Sequence, residues 1–162
     1  MYDNNKAHYI VVTGILVKDG KYLITKRAST EKAFPNQRTV PGGKLELDDY
    51  IKRPKDTSAH WYNIFEGVLK REILEEVGLN IKSIKYLTSL SYIRSDGIPT
   101  IIVSLFAEPA KGEIKLCPAL TEYEWVTLDE AKDYDLIEGI YEELEMLDKL
   151  LKEGTIEEWK KK

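Results

Sequence analysis

Arg71, Glu72, Glu75 and Glu76 lie within one short stretch, Arg71-Glu72-Ile73-Leu74-Glu75-Glu76-Val77-Gly78-Leu79, whose spacing predicts the end of a helix. At about 100° per residue the three glutamates fall within about 100° of one another. The same arc carries Phe65, Val68 and Leu69 one to two turns earlier, so an apolar stripe continues into carboxylates. A solvated acidic face would oppose that stripe. Acids near a helix C-terminus face the negative end of the dipole, at about 0.3 to 1 kcal/mol each. The i,i+4 repulsion adds about 0.3 kcal/mol more. Arg71 can offset one charge, whereas a divalent cation offsets two and takes oxygen donors, which suits Mg²⁺ or Mn²⁺. With one cysteine, Cys117, and two histidines, His8 and His60, metal chemistry has to rest on carboxylates.

Upstream, Val40-Pro41-Gly42-Gly43-Lys44-Leu45-Glu46 joins a rigid turn to two glycines, whose backbone can approach a ligand closely. Arg38 and Lys44 flank this turn, and Gly43 with them forms a candidate phosphate site. Tyr92 and Arg94 end a later strand and are further candidates for substrate contact. Residues 121 to 162 hold 14 acidic and 6 basic side chains, which leaves the rest of the chain net basic. That excess fits a small polyanion and is too small for a long nucleic-acid groove.

Together, Pro41-Gly42-Gly43-Lys44 and the Arg71 to Leu79 stretch resemble the signature of Nudix hydrolases, G-x5-E-x7-R-E-U-x-E-E-x-G-U with U bulky and apolar. The second half matches at every specified position. The spacing departs from the pattern: Gly43 and Arg71 are 28 positions apart, 14 more than the family has, which predicts an insertion of about residues 49–62. Counting forward from Gly43 puts the first acid of the pattern on Asp49, and counting back from Arg71 puts it on Asn63. In the family that acid holds the arginine, so Asp48, Asp49, Asp56 and Glu66 are candidates here. Trp61 and Tyr62 in the insertion read as anchors more readily than as base-stacking groups.

The resemblance implies Mg²⁺-dependent hydrolysis of a nucleoside diphosphate linked to another group, such as a nucleoside triphosphate or a nucleotide sugar, by water attack at phosphorus. It implies Glu75 and Glu76 as metal ligands, Glu72 as ligand or base, the Gly42 carbonyl as a further ligand, and Arg27 as a phosphate contact. A later-loop base would be Glu122. The alternative is a Nudix-fold module that binds a nucleotide without turning it over. A homodimer is a further expectation from the family.

The elements that must position these groups are readable. His8 to Val17 is β-branched and nearly continuously apolar, as a central strand is, and Asp19-Gly20 turns it into a second strand, Lys21 to Lys26. Ile84 to Arg94 and Pro99 to Ala107 form a second hairpin about Asp96-Gly97, and Tyr123 to Thr127 is a short strand. One helix is expected over Ile64 to Val77, capped by Asn63 with Glu66 and stopped by Gly78. Another carries Ile137, Ile140, Tyr141, Leu144, Leu147 and Leu151. This predicts an α/β fold, a Nudix-type α/β/α sandwich with a mixed central sheet, in one domain over 1–162 with its core at about 8–151. At 162 residues, 43% apolar and 32% charged, the chain is long enough for one core and has no apolar run able to span a bilayer. The polar start after Met1 predicts a cytoplasmic protein.

Overall fold

The computed structural model describes residues 3–162. Strand β1 (Tyr9–Lys18) lies in the middle of the sheet, as its apolar composition demands. It runs parallel to β6 (Pro99–Pro109) from Tyr9 to Leu16, and its Val11 to Thr13 segment also pairs antiparallel with β4 (Gly42–Lys44). Beyond these, Val17 and Lys18 turn into β2 (Lys21–Arg27). Antiparallel partners of β2 are β3 (Arg38–Thr39) and β7 (Leu120–Val126), while β5 (Ile81–Ile93) pairs antiparallel with β6 at the sheet edge.

Period-two alternation sends β1 side chains to two cores. Val12 and Leu16 join Leu23, Leu105 and the buried face of helix α1 (Ile64–Val77), made of Val68, Leu69, Ile73 and Val77. Ile15 joins Ile24, Phe106 and helix α2 (Ile140–Glu153) through Ile140, Leu144 and Leu147. The result is the expected α/β/α sandwich with a mixed sheet. Gly14 lets α1 lie close: a Cβ there would stand 2.4 Å from Leu69 Cδ1. Burying each aliphatic side chain of α1 contributes about 2 kcal/mol, more than the dipole penalty of one acid at its end, so the helix tolerates its carboxylates.

Helix α1 spans the expected residues and ends on Gly78 in the left-handed region (φ 73°), whose N–H donates to Leu74 O. Its start differs. Asn63 adopts φ 54° and makes no side-chain cap, so the Asn63/Glu66 capping box does not form. The chain emerges from the insertion there, and the Asn63 carbonyl accepts the Gly67 N–H instead. In the second helical stripe, Ile137 precedes α2 and its N–H donates to Arg38 O, while Leu151 is exposed. Among the described residues no helix is long and apolar enough to cross a membrane.

Candidate active site

Helix α1 and the Pro41-Gly42-Gly43 turn meet because β4 is zipped onto β1: Val12 pairs with Gly43, Thr13 with Gly42, and Pro41 O accepts the Gly14 N–H. This brings the two sequence signatures together. Glu76 Oε2 accepts the Gly42 N–H at 3.0 Å. Glu72 packs on Gly43 so closely that a Cβ there would lie 2.1 Å from its Oε1. Gly43→Ala should therefore displace Glu72 and reduce turnover by about tenfold or more with little loss of thermal stability. An activity assay beside a melting curve separates the two effects.

Arg71 holds the acids in place. It donates to Glu72 Oε1 at 2.6 Å, to Glu75 Oε2 at 3.2 Å and to Lys44 O at 3.1 Å. Its fourth partner is Asp49, reached by Nε at 2.5 Å and by a second guanidinium nitrogen at 3.2 Å. Of the four candidate acids, Asp49 is the one that fills this role, as counting forward from Gly43 indicates. The extra residues thus follow Asp49. Burial pushes the Asp49 carboxyl up, but hydrogen bonds from Arg71 and the Glu46 N–H hold it below its usual range. Asp49→Ala removes this clamp, with an expected cost of roughly 2 kcal/mol and about a tenfold drop in turnover. Asp49→Glu, which keeps the charge, should recover part of the turnover.

The glutamates do not share one environment. Burial raises Glu72, against the pull of the Arg71 charge, and its side chain is 12% exposed. Burial pushes Glu76 up to about 7, the Gly42 N–H opposing and the Glu72 charge adding. Glu75 points outward, with its side chain 59% exposed. Glu75 is thus the outermost of the three, while Glu72 and Glu75 still share one Arg71 nitrogen. Arg27 lies near enough for its charge to stabilise ionised Glu76, while it donates to Glu31 and to Ala33 O. Lys44 and Arg94 converge on the Tyr9 ring, at 5.4 Å and 5.3 Å from its centroid.

Glu122 stands apart. The β2–β7 register sets it opposite Lys26, and it forms ion pairs of 3.0 Å with Lys26 and 2.6 Å with Arg38. The Lys26 hydrogen bond holds its carboxyl below the usual range, the wrong direction for a general base, so the structure speaks against that role. Arg38 pairs with Glu122 and lies over the Tyr134 ring, 4.7 Å from its centroid. The insertion folds on itself: the Tyr50 and Trp61 rings pack at a 57° tilt with centroids 5.3 Å apart, Trp61 Nε1 donates to Arg53 O, and Asp56 accepts the Tyr62 N–H.

Among the described residues no three His, Cys, Asp or Glu side chains are gathered as a ready-made metal cage. The donor set nevertheless suits a hard divalent cation. It is all oxygen, it stands against a glycine that leaves no room for a Cβ, and neighbouring acid charges add to the burial that raises both inner acids, Glu75 and Asp49 for Glu72 and Glu72 for Glu76. Binding would require Glu75 to exchange its hydrogen bond with Arg71 for the ion.

Residues 8–147 match the NUDIX domain model. Nucleoside triphosphatase NudI of Escherichia coli strain K12 is 29% identical over 136 residues, covering 78% of this chain and 86% of the relative. Among solved structures, the MutT NUDIX hydrolase from Burkholderia pseudomallei superposes with a TM-score of 0.68 at 22% identity, over 86% of this chain and 98% of that one. The NUDIX domain of Shewanella oneidensis NrtR, solved with ADP ribose, gives 0.69 at 17% identity, over 93% and 94%.

Proposed function

The chain belongs to the NUDIX domain family and is a Nudix pyrophosphohydrolase, and from that premise we propose that its substrate is a nucleoside triphosphate. The observation that carries this reading is the pair Glu72 and Glu76, two acids packed against the twin-glycine turn at a helix end, where their charges are tolerable together only beside a cation. The relatives named nucleoside triphosphatase favour a triphosphate over a nucleotide sugar. Mg²⁺, with Mn²⁺ as substitute, is the ion proposed, held by Glu75 and Glu76 with Glu72 left beside it as the base. When bound it neutralises the diphosphate and stabilises the leaving oxygen.

The remaining work falls to the chain. Arg71, clamped by Asp49, sets the rotamers of Glu72 and Glu75 and keeps them from repelling one another. Glu72 is the group assigned to accept the proton of the attacking water, because burial raises its affinity for a proton. Gly43 permits the diphosphate to approach the backbone, and Lys44, Arg94 and Arg27 supply positive charge on its outer side. A chromatographic screen for nucleoside monophosphate formed from nucleoside triphosphates, dinucleoside polyphosphates, nucleotide sugars and ADP-ribose, with Mg²⁺, Mn²⁺ or EDTA, tests the reading. Turnover of the triphosphates, abolished by EDTA, is expected. Turnover of a nucleotide sugar or ADP-ribose in their place would overturn it.

A further inference from the structure

The turn that follows β2 sets an acid on the arginine proposed to meet the diphosphate. Arg27 ends β2, and the Glu31 N–H donates to Ala28 O at 3.2 Å, which turns the chain back toward it. Glu31 Oε2 then accepts from a terminal guanidinium nitrogen of Arg27 at 2.8 Å, while Ala33 O accepts from Arg27 Nε at 2.8 Å. The pair is partly shielded, with side chains 23% and 31% exposed. A run of backbone bonds ties this turn to the end of α1. The Ala28 N–H donates to Ala119 O, Leu120 pairs with Arg27 across β2 and β7 and donates to Cys117 O, and the Cys117 N–H donates to Glu76 O at 2.9 Å. After burial, the Gly42 N–H and the Glu72 charge, the next influences on the Glu76 carboxyl are Arg27, which lowers it, and Glu31, which raises it.

We infer that Glu31 is a positioning residue that competes with the substrate for Arg27: its carboxylate holds the guanidinium in the free protein, yields it to a phosphate of the diphosphate, and by returning helps to displace the diphosphate product. The inference rests on the diphosphate reading above and adds the residue that governs Arg27. Carboxylate and phosphate take a guanidinium through the same N–H donors, so one arginine cannot serve both fully. The exchange is open, because a partly exposed ion pair is weak and a pyrophosphate brings more charge than a carboxylate. Glu31 also carries a cost that a mere anchor for the turn would not need. Its charge stands near Glu76, where it opposes an incoming polyanion, and Arg27 is what cancels it. Each turnover therefore ends with Glu31 set to reclaim its partner, which favours release of the product, a step that limits many enzymes.

The test is an NMR titration of the full chain with inorganic pyrophosphate, without divalent metal, read at the Gly43 amide and at the Arg27 Nε–H. Glu31→Gln keeps an oxygen that can accept from the guanidinium and removes the charge, so it should tighten pyrophosphate about fivefold. Arg27→Ala should weaken binding by about twofold in the wild type but by about tenfold in the Glu31→Gln background, because only there is the arginine free to begin with. The double variant then binds like Arg27→Ala alone. In the wild type the Arg27 Nε–H resonance should move on saturation as the guanidinium changes partner. Unchanged or weaker binding in Glu31→Gln would overturn the inference, as would a Glu31→Gln variant that takes up no pyrophosphate. A gain of equal size in the double variant would overturn it too, since Glu31 would then act only as a repelling charge. A diphosphate is common to every compound in the screen above, so this coupling in a protein that turns over no triphosphate would leave the inference standing and remove the triphosphate reading.

Discussion

Glu76→Gln is expected to fold normally and to lose at least about a hundredfold in metal-dependent turnover. The side chain accepts the Gly42 N–H and touches both halves of the site signature, so a neutral amide of the same shape can preserve the packing. What it removes is the charge that a divalent ion would meet. Loss of one ionic ligand exceeds the 10- to 100-fold effect of disturbing a group that only orients a ligand. The free energy of folding provides the control. The Glu76 carboxyl is raised to about 7 in the metal-free fold against an ordinary value of 4.5, so its neutral form is the favoured one. The corresponding stability is fully present below about pH 4.5 and is lost as pH rises through about 7. Glu76→Gln, which cannot ionise, should therefore match the wild type near pH 4 and melt higher at pH 8 without metal. Added Mg²⁺ should raise the wild-type melting point and leave that of the variant unchanged. A variant that keeps near-normal turnover would remove Glu76 from the site.

Local patterns carried far into this fold. The length of α1 was legible because its apolar positions repeat at helical spacing and Gly78 supplies a left-handed stop. The join between the two signatures was legible as well, since a fixed count from Gly43 reaches Asp49, which the structure pairs with Arg71. Long-range register was not. Strands β3 and β4 have two and three residues, too short for any period, and exist because β2 and β1 offer them an edge. Glu122 lost its proposed role through the same kind of fact, a β2–β7 alignment that sets it against Lys26. The αL conformation of Asn63 depends on how the insertion re-enters the helix, which no cap pattern encodes. Glu143 was missed for another reason. In Glu142-Glu143-Leu144-Glu145 it looks like part of a solvated acidic face, yet it falls three residues after Ile140 and four before Leu147, within the buried stripe. That spacing was a usable signal.

A second large effect concerns Glu143 and the pH dependence of folding. Its carboxyl lies between α2 and the sheet with no cation beside it, and burial raises it to about 7. Folding therefore favours the protonated form, and this contribution, present in full below about pH 4.5, disappears as pH rises through about 7. At about 1.36 kcal/mol per pH unit the loss approaches 3 kcal/mol by pH 8. For a domain of this size each kcal/mol moves the melting temperature by about 2 to 4 °C. Glu143→Gln should thus equal the wild type near pH 4 and melt several degrees higher at pH 8. Glu76 ionises in the same window on the opposite face of the sheet, so the two effects should add when both residues are changed to Gln, and the double variant should lose less stability between pH 5 and 8 than either single variant. A melting difference that stays constant from pH 4 to pH 8 would mean that Glu143 is charged in the fold and reaches water.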